Sequence, residues 1–412
     1  MKDTMEKANE YLFCEIGNRV TPRFISGIAH MLNSEEPFDV MTSGEILKYF
    51  KNSLFPTDDR GNETFKNRLH AAKLIRQVSK ERYGRDFERK DSLPLDSALH
   101  KYLPKKVRLE ASTICQLRCA GCGFQKGGED DLDRGYLTFG NFKHFCDMNP
   151  FIEEIELSNW GEIFLNPDLV KIMYEAKDRN IKLTAWNGSN FNTVSDEQMQ
   201  AMVDTGFAIL SLSIDGASQE TYSKYRIGGD YNKVIENVKK LQKYKEKADT
   251  KLPRLQWQYV LMEYNELEIG KAKKIAKELG IKINFKYNWD EKYKPVNREY
   301  IMRETGLTEL TRAEYVAANG VPPYDIICRN FILKPQINWD GRLLGCCDQK
   351  YACFDVNVFE VGLEAAMKST KYIQAKECLL SVHPDREKYG SCICFNCKRR
   401  IQREKADVAL EL

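Results

Sequence analysis

The stretch CQLRCAGC, residues 115–122, places three cysteines in Cys-x3-Cys-x2-Cys spacing just after the strand-like run VRLEAS, residues 107–112. Three thiolates are one too few to close a tetrahedral metal site, and the spacing does not suit a disulfide. Thiolates are the usual ligands of iron–sulfur clusters, which normally take four. We therefore predict a cubane cluster whose fourth iron stays open to a molecule from solution. The alternative is half of a zinc site, completed by a distant cysteine or histidine.

The composition restricts the classes of partner. The 412 residues include 63 basic and 60 acidic side chains, so no strong overall field attracts nucleic acid or a membrane. No run of eighteen apolar residues occurs, and the first ten residues, MKDTMEKANE, do not resemble a signal peptide. We expect a soluble, cytoplasmic protein without membrane or nucleic-acid partners.

Thirteen cysteines in such a chain indicate metal or redox chemistry, because reducing compartments disfavour disulfides. Cys14 and Cys146 stand alone and are expected to be small buried hydrophobic residues. Three cysteines lie at 115–122, and eight lie between residues 328 and 397. The chain is therefore expected to carry two separate thiolate centres.

Short apolar runs alternate with helical patterns in the middle of the chain. The six strand-like runs are residues 107–112, 153–159, 181–187, 208–215, 254–262 and 281–288. Asn166 with Pro167 predicts the start of one helix, and Ser195 with Gln198 predicts a capping box at the start of the next. Six such units are two short of a closed barrel. The predicted fold class is α/β, a partial (β/α)6 TIM-like barrel.

The same reading divides the chain into five segments. We predict a mostly helical N-terminal extension (residues 1–104) and then the partial barrel (105–290). A proline-containing bridge (291–327), a small cysteine-rich C-terminal module (328–400) and a short solvated helical tail (401–412) follow.

Polar residues mark the carboxyl ends of the predicted strands: Ser112, Ser158, Asn159, Asn187, Asp215 and Asn288. In a βα barrel those ends form the functional face. The cysteine loop follows the first strand and therefore belongs to the same face.

These motifs, in this order, resemble the radical S-adenosylmethionine (radical SAM) superfamily over roughly residues 105–290. After the cysteine triad Cys115, Cys119 and Cys122, the stretch SNWGE (158–162) is similar to that superfamily's Gly-Gly-Glu-Pro motif. The stretch SIDG (213–216), followed by Tyr222 and Arg226, resembles a pattern in its peptide- and carbohydrate-modifying branch. This chain differs at Trp160 and Ile163, where glycine and proline are usual, and at Gly121, where an aromatic residue is common.

The resemblance implies a role for each matched residue. Gly161 and Glu162 would hold the ammonium group of S-adenosylmethionine, while Ser213 and Arg226 would contact its carboxylate. Asn187 matches a polar residue near the ribose. Asp215 is a candidate catalytic residue or a support for the cofactor loop. A reduced 4Fe–4S cluster would cleave the cofactor to a 5′-deoxyadenosyl radical that abstracts a substrate hydrogen atom.

The C-terminal cysteines resemble a SPASM/twitch auxiliary-cluster module. Cys328, Gly341 and Cys346 match its opening, and Asn338 to Gly341 is independently a good hairpin turn. With Cys394 and Cys397 they predict one fully ligated auxiliary 4Fe–4S cluster. A zinc ribbon on the same four thiolates is the alternative. Four cysteines of the module have no assigned role: Cys347, Cys353, Cys378 and Cys392. Two alternatives stay open, a second auxiliary cluster held by these four and the replacement of Cys394 by Cys392 as a ligand.

The resemblance leaves the substrate undecided. Peptide maturases of this branch often carry a leader-binding winged helix, and residues 1–104 show little strand pattern. A small molecule of carbohydrate or aminocyclitol type is therefore expected as the substrate that is oxidised or epimerised. A reductant such as flavodoxin or ferredoxin is expected to supply the electron for cofactor cleavage. The alternatives are a maturase of a ribosomally made peptide and a non-catalytic iron–sulfur or zinc scaffold or sensor. Asp290 and Glu291, which follow the sixth strand, are candidate substrate contacts. His144 is expected to be an ordinary core or surface residue, and Trp186 and Trp257 are expected to lie in the core or the pocket wall.

Overall fold

The computed structural model describes residues 100–123, 132–288, 291–319, 326–348 and 354–405. Nearly all of the predicted N-terminal extension lies outside these residues, as do Cys14, Cys353 and Asp290. The described residues belong to one compact unit, Pro94–Glu411.

Six parallel strands form the centre of this unit and lie side by side in chain order. They are β1 Lys106–Leu109, β2 Glu154–Glu156, β3 Lys182–Ser189, β4 Ile209–Ser213, β5 Arg254–Val260 and β6 Lys282–Lys286. Each lies within one of the six runs predicted as strands, apart from one residue at the start of β1 and two at the end of β3. The predicted partial α/β barrel is thereby confirmed.

The two faces of this sheet differ in chemistry. Arg108 pairs with Glu156, and Glu156 pairs with Thr184, so these three side chains share one face. Farther along the sheet, Ser213 and Gln258 are paired on the same face. The opposite face carries buried apolar side chains: Val107, Ile155, Leu183, Leu210 and Trp257. The sheet therefore packs one face against the helices and encloses a polar interior with the other.

Helices connect and cover the strands. In the barrel they are Phe139–Met148, Leu169–Asp178, Asp196–Asp204, Gln219–Tyr225, Tyr231–Lys247 and Ile269–Glu278, with short 3₁₀ turns at Ile163–Leu165, Glu266–Glu268 and Glu291–Tyr293. The later helices are Arg298–Thr305, Arg312–Asn319, Ile326–Leu333, Val358–Met367, Thr370–Leu380, Arg386–Tyr389 and Lys398–Lys405. The apolar stripe of Tyr231–Lys247 is buried as its spacing requires.

The predicted start signals had different outcomes. The capping box of Ser195 and Gln198 is confirmed, with both reciprocal hydrogen bonds present. The predicted N-cap at Asn166 is wrong, because the helix begins at Leu169 with Asp168 as its N-cap. Asn166 is instead buried, and its amide donates to the carbonyl oxygens of Ala111 (2.7 Å) and Leu137 (2.9 Å). It therefore ties the cap region to the end of β1.

A hairpin from the C-terminal cysteine region continues the barrel sheet. Strand β7, Gln336–Ile337, pairs parallel with β1 and antiparallel with β8, Leu343–Gly345. The predicted hairpin turn is confirmed, and Gly341 adopts φ +89°, which favours glycine. The cysteine after β8 is thus fixed by the same sheet that carries the first cysteine loop.

Candidate active site

The loop with the three cysteines is held against the end of the helix Gln219–Tyr225. The backbone N–H of Ala120 donates to the carbonyl of Tyr225 (3.1 Å), and that of Arg118 donates to Ile227 (2.9 Å). Within the loop, the N–H of Cys122 donates to the carbonyl of Cys119 (3.0 Å). The loop is therefore anchored by backbone bonds that do not involve the thiols.

The three thiols line one cavity of about 560 Å³ at the carboxyl end of the sheet. Each of Cys115, Cys119 and Cys122 is partly exposed. Burial raises the pKa of Cys115 to about 12 and also raises the pKa of Cys119, against a lowering effect from Arg226. Metal binding at this loop would therefore have to displace protons.

The donor set suits a cluster because cubane ligands each bind a different iron atom, whereas zinc ligands surround one ion. Among the described residues, no three His, Cys, Asp or Glu side chains are gathered around one metal position.

The turn that carries Gly161 packs directly on the cysteine loop. A β-carbon on Gly161 would lie 2.2 Å from the carbonyl oxygen of Ser112, a distance at which the backbone would have to shift. The next N–H, of Glu162, donates to the carbonyl of Ile114 (2.9 Å). The glycine is thus required for contact between the two motifs. Trp160 and Cys122 both pack against the buried side chains of Leu132 and Leu344.

Glu162 is buried and accepts three hydrogen bonds. Its Oε1 accepts from the hydroxyl of Ser189 (2.8 Å) and the N–H of Phe164 (3.3 Å), and its Oε2 accepts from the N–H of Asn190 (2.6 Å). Burial nevertheless raises the pKa of Glu162 above its ordinary value. One acceptor position of Oε2 is not used by these bonds, and a cationic ligand in the cavity would stabilise the ionised carboxylate.

Arg226, which is partly exposed, and Asp215, which is fully buried, form an ion pair beside the cysteine loop. Two guanidinium nitrogens of Arg226 lie 2.6 Å from Oδ2 of Asp215, and a third lies 3.5 Å from the sulfur of Cys119. The other oxygen of Asp215 accepts the N–H of Val260 (2.8 Å). Asp215 does not line the cavity and is fully buried, which favours its predicted supporting role over direct substrate chemistry.

Ser213 and Asn187 also line this cavity. Gly188 lies between them with φ +120°, and a β-carbon there would come within 2.3 Å of the Ser213 hydroxyl. The amide of Asn187 donates to Asn159 (2.7 Å), whose own amide donates to the carbonyl of Cys347 (3.0 Å). The predicted cofactor residues are therefore brought together with the C-terminal cysteine region.

Sequence reasoning missed Glu110, which is fully buried one residue after β1. Its Oε1 accepts the N–H of Trp160 (3.0 Å), and its Oε2 accepts from the amide of Gln336 (3.3 Å). Burial raises its pKa to about 8. The sequence signal was a carboxylate inside an otherwise strand-like run, where burial requires a dedicated partner.

The four cysteines predicted to hold the auxiliary cluster lie in three parts of the C-terminal region. Cys328 lies in the helix Ile326–Leu333 and Cys346 follows β8, while Cys394 and Cys397 form a turn closed by the N–H of Cys397 donating to the carbonyl of Cys394 (3.2 Å). Cys328 and Cys394 are buried.

Three of the unassigned cysteines have distinct surroundings. Contact with Cys378 and Cys394 lowers the pKa of Cys392, which therefore lies between those two thiols. Cys347 lines the first cavity, and contact with Cys346 together with the charge of Arg108 lowers its pKa. The ligand set Cys328, Cys346, Cys394 and Cys397 stays a prediction beside the alternative that uses Cys392.

His144, Trp186 and Trp257 have the ordinary surroundings of core or surface residues. The ring Nε2 of His144 lies 2.8 Å from the carbonyl oxygen of Phe359, and Trp257 is buried with its indole donating to Ile214 (2.5 Å). Trp186 is 43% exposed. The side chain of Glu291 lies outside the described part.

The described part of the predicted tail, residues 401–405, is helical as the end of the helix Lys398–Lys405, but this helix is only partly solvated. Arg400 and Arg403 on the helix Lys398–Lys405 are each 3% exposed. Arg403 donates to the carbonyl of Leu379, and Arg400 donates to the carbonyl of Phe395. A basic run in the sequence therefore packs onto the cysteine-rich region through hydrogen bonds. Separately, no helix within the described ranges has the length and apolarity needed to span a membrane.

Comparison with known proteins shows which family the central segment of the chain resembles. The family model described as the Radical SAM superfamily matches residues 109–251. The AdoMet-dependent heme synthase of Methanosarcina barkeri is 29% identical over 180 residues, which cover 43% of this chain and 48% of that protein. The tungsten-containing aldehyde ferredoxin oxidoreductase cofactor-modifying protein of Pyrococcus furiosus is 24% identical, covering 43% and 49%. The chain therefore spans about half the length of these curated relatives.

The fold is shared more widely than the sequence. The crystal structure of Streptococcus suis SuiB bound to S-adenosylmethionine aligns with a TM-score of 0.53 and 15% identity, covering 95% of this chain and 86% of SuiB.

Proposed function

We propose that the protein is an enzyme of radical chemistry, from the premise that the Radical SAM superfamily model matches its residues 109–251. When bound, a 4Fe–4S cluster with S-adenosylmethionine supplies the electron that cleaves the cofactor and the 5′-deoxyadenosyl radical that abstracts a substrate hydrogen atom. The observation that carries this proposal is the convergence on one cavity of the cysteine triad with Glu162, Ser213 and Arg226. A scaffold that bound only zinc would not use the last three.

The residues around the cavity have complementary tasks. Cys115, Cys119 and Cys122 would hold the cluster. Glu162 offers a buried carboxylate for an ammonium group, and the bonds from Ser189 and Asn190 fix its orientation.

Arg226 presents a guanidinium for a carboxylate, and its own position is set by Asp215. The ion pair would keep Arg226 oriented before the cofactor arrives, so that little ordering is needed on binding. Ser213 adds a hydroxyl at the end of β4, where Gly188 leaves room for it.

The C-terminal cysteines would hold an auxiliary cluster, and we propose Cys328, Cys346, Cys394 and Cys397 as its ligands. Fully ligated, such a group has no position for the nucleoside cofactor and supplies a one-electron acceptor. The hairpin β7–β8 is continuous with the barrel sheet, so Cys346 and the cavity share one rigid support. The net reaction would then be an oxidation of the substrate.

The substrate is proposed to be a small polar molecule of carbohydrate or aminocyclitol type. The cavity of about 560 Å³ has to hold the nucleoside cofactor as well as the substrate, which favours a small substrate. Its lining includes several amide side chains suited to hydroxyl groups: Asn159, Asn187, Asn190, Gln258 and Asn330. A low-potential electron donor such as flavodoxin or ferredoxin completes the proposal.

The direct test uses anaerobically purified, iron-reconstituted protein. We expect about eight irons per chain for two clusters and formation of 5′-deoxyadenosine from S-adenosylmethionine under dithionite. Zinc in place of iron, or full clusters without deoxyadenosine, would instead favour the scaffold. Screening aminocyclitols and short peptides for faster deoxyadenosine formation then separates the small-molecule proposal from a peptide maturase.

Replacing Glu162 by glutamine is expected to weaken S-adenosylmethionine binding about tenfold or more. The change removes a charge-assisted bond to the ammonium and points an amide donor at Asn190 N–H or at the ligand. Equilibrium dialysis of reconstituted protein measures the affinity, with exposed Glu197→Gln as the matched control. Equal affinity in both variants would remove Glu162 from the site.

Replacing Cys397 by alanine is expected to lower the iron content by about four atoms per chain while cofactor cleavage persists. The remaining cluster lies in the barrel and does not depend on this ligand. Iron analysis and deoxyadenosine formation are measured together, and Cys392→Ala is compared in parallel. Full iron in Cys397→Ala would remove Cys397 from the ligand set, and loss of iron in Cys392→Ala would favour the alternative set in which Cys392 replaces Cys394.

A further inference from the structure

The turn at residues 158–161 leads directly into Glu162, which lines the cavity, and it is held from two sides. On one side the turn packs on the chain that leads into the cysteine loop, because a β-carbon on Gly161 would lie 2.2 Å from the carbonyl oxygen of Ser112. On the other side it faces Glu110, which lies one residue after β1. The position of Glu162 therefore depends on both contacts.

Glu110 gathers the backbone of this turn around one carboxylate. Its Oε1 accepts the N–H of Trp160 (3.0 Å) and, at a longer distance, the N–H of Gly161 (3.5 Å). The N–H of Asn159 also interacts with this carboxylate. Successive backbone N–H groups that meet one acceptor form an anion-binding concavity, and here the anion belongs to the chain itself. Loss of the carboxylate would leave these donors without this acceptor.

The other oxygen of Glu110 connects the turn to the C-terminal hairpin. Oε2 accepts from the amide of Gln336 (3.3 Å), a buried residue of β7. The same hairpin leads into Cys346, and the carbonyl oxygen of Cys347 accepts from the side-chain amide of Asn159 (3.0 Å). The turn is therefore held to the C-terminal cysteine region at two points, and Glu110 supplies one of them.

Glu110 is not placed to touch the cofactor itself. It is fully buried, it is not part of the cavity lining, and protein donors occupy both of its oxygens. Burial raises the pKa of Glu110 to about 8, while the N–H groups of the turn and the charge of Arg108 act against this rise. A leucine at this position would avoid the cost of burying a carboxylate. A role in orienting the turn accounts for the carboxylate better than packing does.

We propose that Glu110 is a positioning residue for S-adenosylmethionine binding, which fixes the turn so that the Glu162 carboxylate is presented to the cofactor ammonium. This inference rests on the proposed function and adds a residue that lies outside the matched motifs. Trp160 stands where a glycine is usual, and the hydrogen bond from its N–H to Glu110 holds the altered turn in place. Glu110 acts on the cofactor only through this backbone.

Two variants of the iron-reconstituted protein test the proposal by equilibrium dialysis with S-adenosylmethionine. Glu110→Leu removes both acceptors and should weaken binding about tenfold or more. Glu110→Gln keeps a carbonyl oxygen for the N–H of Trp160, and the Gln336 amide can turn over to accept from its NH₂ group, so the loss should be only about threefold. The KM for the cofactor should rise by the same factors, while the rate at saturating cofactor stays within about twofold of wild type.

Glu266→Leu is the matched control. Glu266 is also a buried carboxylate that holds backbone, since its Oε2 accepts the N–H of Val296 (2.8 Å) and the N–H of Asn297 (3.2 Å). It is not part of the cavity lining. Both leucine variants should lose free energy of unfolding in urea, whereas only Glu110→Leu should lose cofactor affinity. Iron content should equal that of wild type in every variant, so that the affinities are compared at equal cluster loading.

Wild-type affinity in both Glu110 variants would overturn the proposal. An equal loss of affinity in Glu266→Leu would overturn it as well, because the loss would then reflect general destabilisation. If Glu110→Leu does not fold, Glu110→Gln decides alone, since wild-type affinity contradicts the proposal and a loss of about threefold supports it. Deoxyadenosine formation by the wild type is measured on the same preparations. Its absence would contradict the radical function, and the dialysis result would still decide the role of Glu110.

Discussion

Replacing Cys119 by alanine is expected to abolish 5′-deoxyadenosine formation. Three thiolates hold three irons of a cubane and leave the fourth open, and the loop 115–122 has no other thiol to replace Cys119. Iron content should fall from about eight to about four atoms per chain. Iron analysis, the low-temperature EPR spectrum of the reduced protein and the deoxyadenosine assay report the result together.

Cys146→Ala is the matched control for this experiment. Cys146 is a buried cysteine in the helix Phe139–Met148, and it does not line the cavity. Its removal should leave both iron content and deoxyadenosine formation unchanged. If Cys119→Ala kept full iron and activity, the triad would not be the cluster site. If Cys146→Ala lost activity as well, the assay would be reporting general instability.

Asp215→Ala is expected to destabilise the folded protein by about 3–5 kcal/mol, the largest stability effect we predict. Asp215 is fully buried, and its two oxygens hold Arg226 and the N–H of Val260. Removing the carboxylate leaves a guanidinium that is only 14% exposed without its counter-ion, and a buried backbone donor without an acceptor. Urea denaturation followed by circular dichroism measures the change in the free energy of unfolding.

The double variant Asp215→Ala/Arg226→Met separates the ion pair from simple loss of packing. Removing the guanidinium as well should recover a large part of the stability, because no unpaired buried charge remains. Cofactor affinity should stay low in the double variant, since Arg226 is then absent. Equal destabilisation in the single and double variants would show that the pair contributes nothing beyond its packing.

Much of the fold was predictable because it follows local rules. Runs such as IKLTAWN and AILSLSID alternate apolar and polar residues with the period of a strand, and β3 and β4 lie within or next to them. The capping box at Ser195 is likewise a four-residue pattern whose bonds form within those residues.

The failures involve contacts between residues distant in sequence. Asn166 has the residue type and neighbours of an N-cap, yet its amide is taken by carbonyl groups of Ala111 and Leu137. Arg400 and Arg403 appear as a solvated basic run, yet they donate to carbonyl groups of a packed neighbour. Local preference was overridden where tertiary contacts satisfied buried polar groups.

The sequence by itself determined the type of chemistry, because thiolate spacing and the order of short motifs along the chain are properties of the sequence. It also determined the strands that carry them. Only the tertiary structure decided which face of the sheet is polar, and that Glu110 and Gly161 bind the motifs together. Those facts depend on which side chains meet across strands, and register and packing set that rather than local preference.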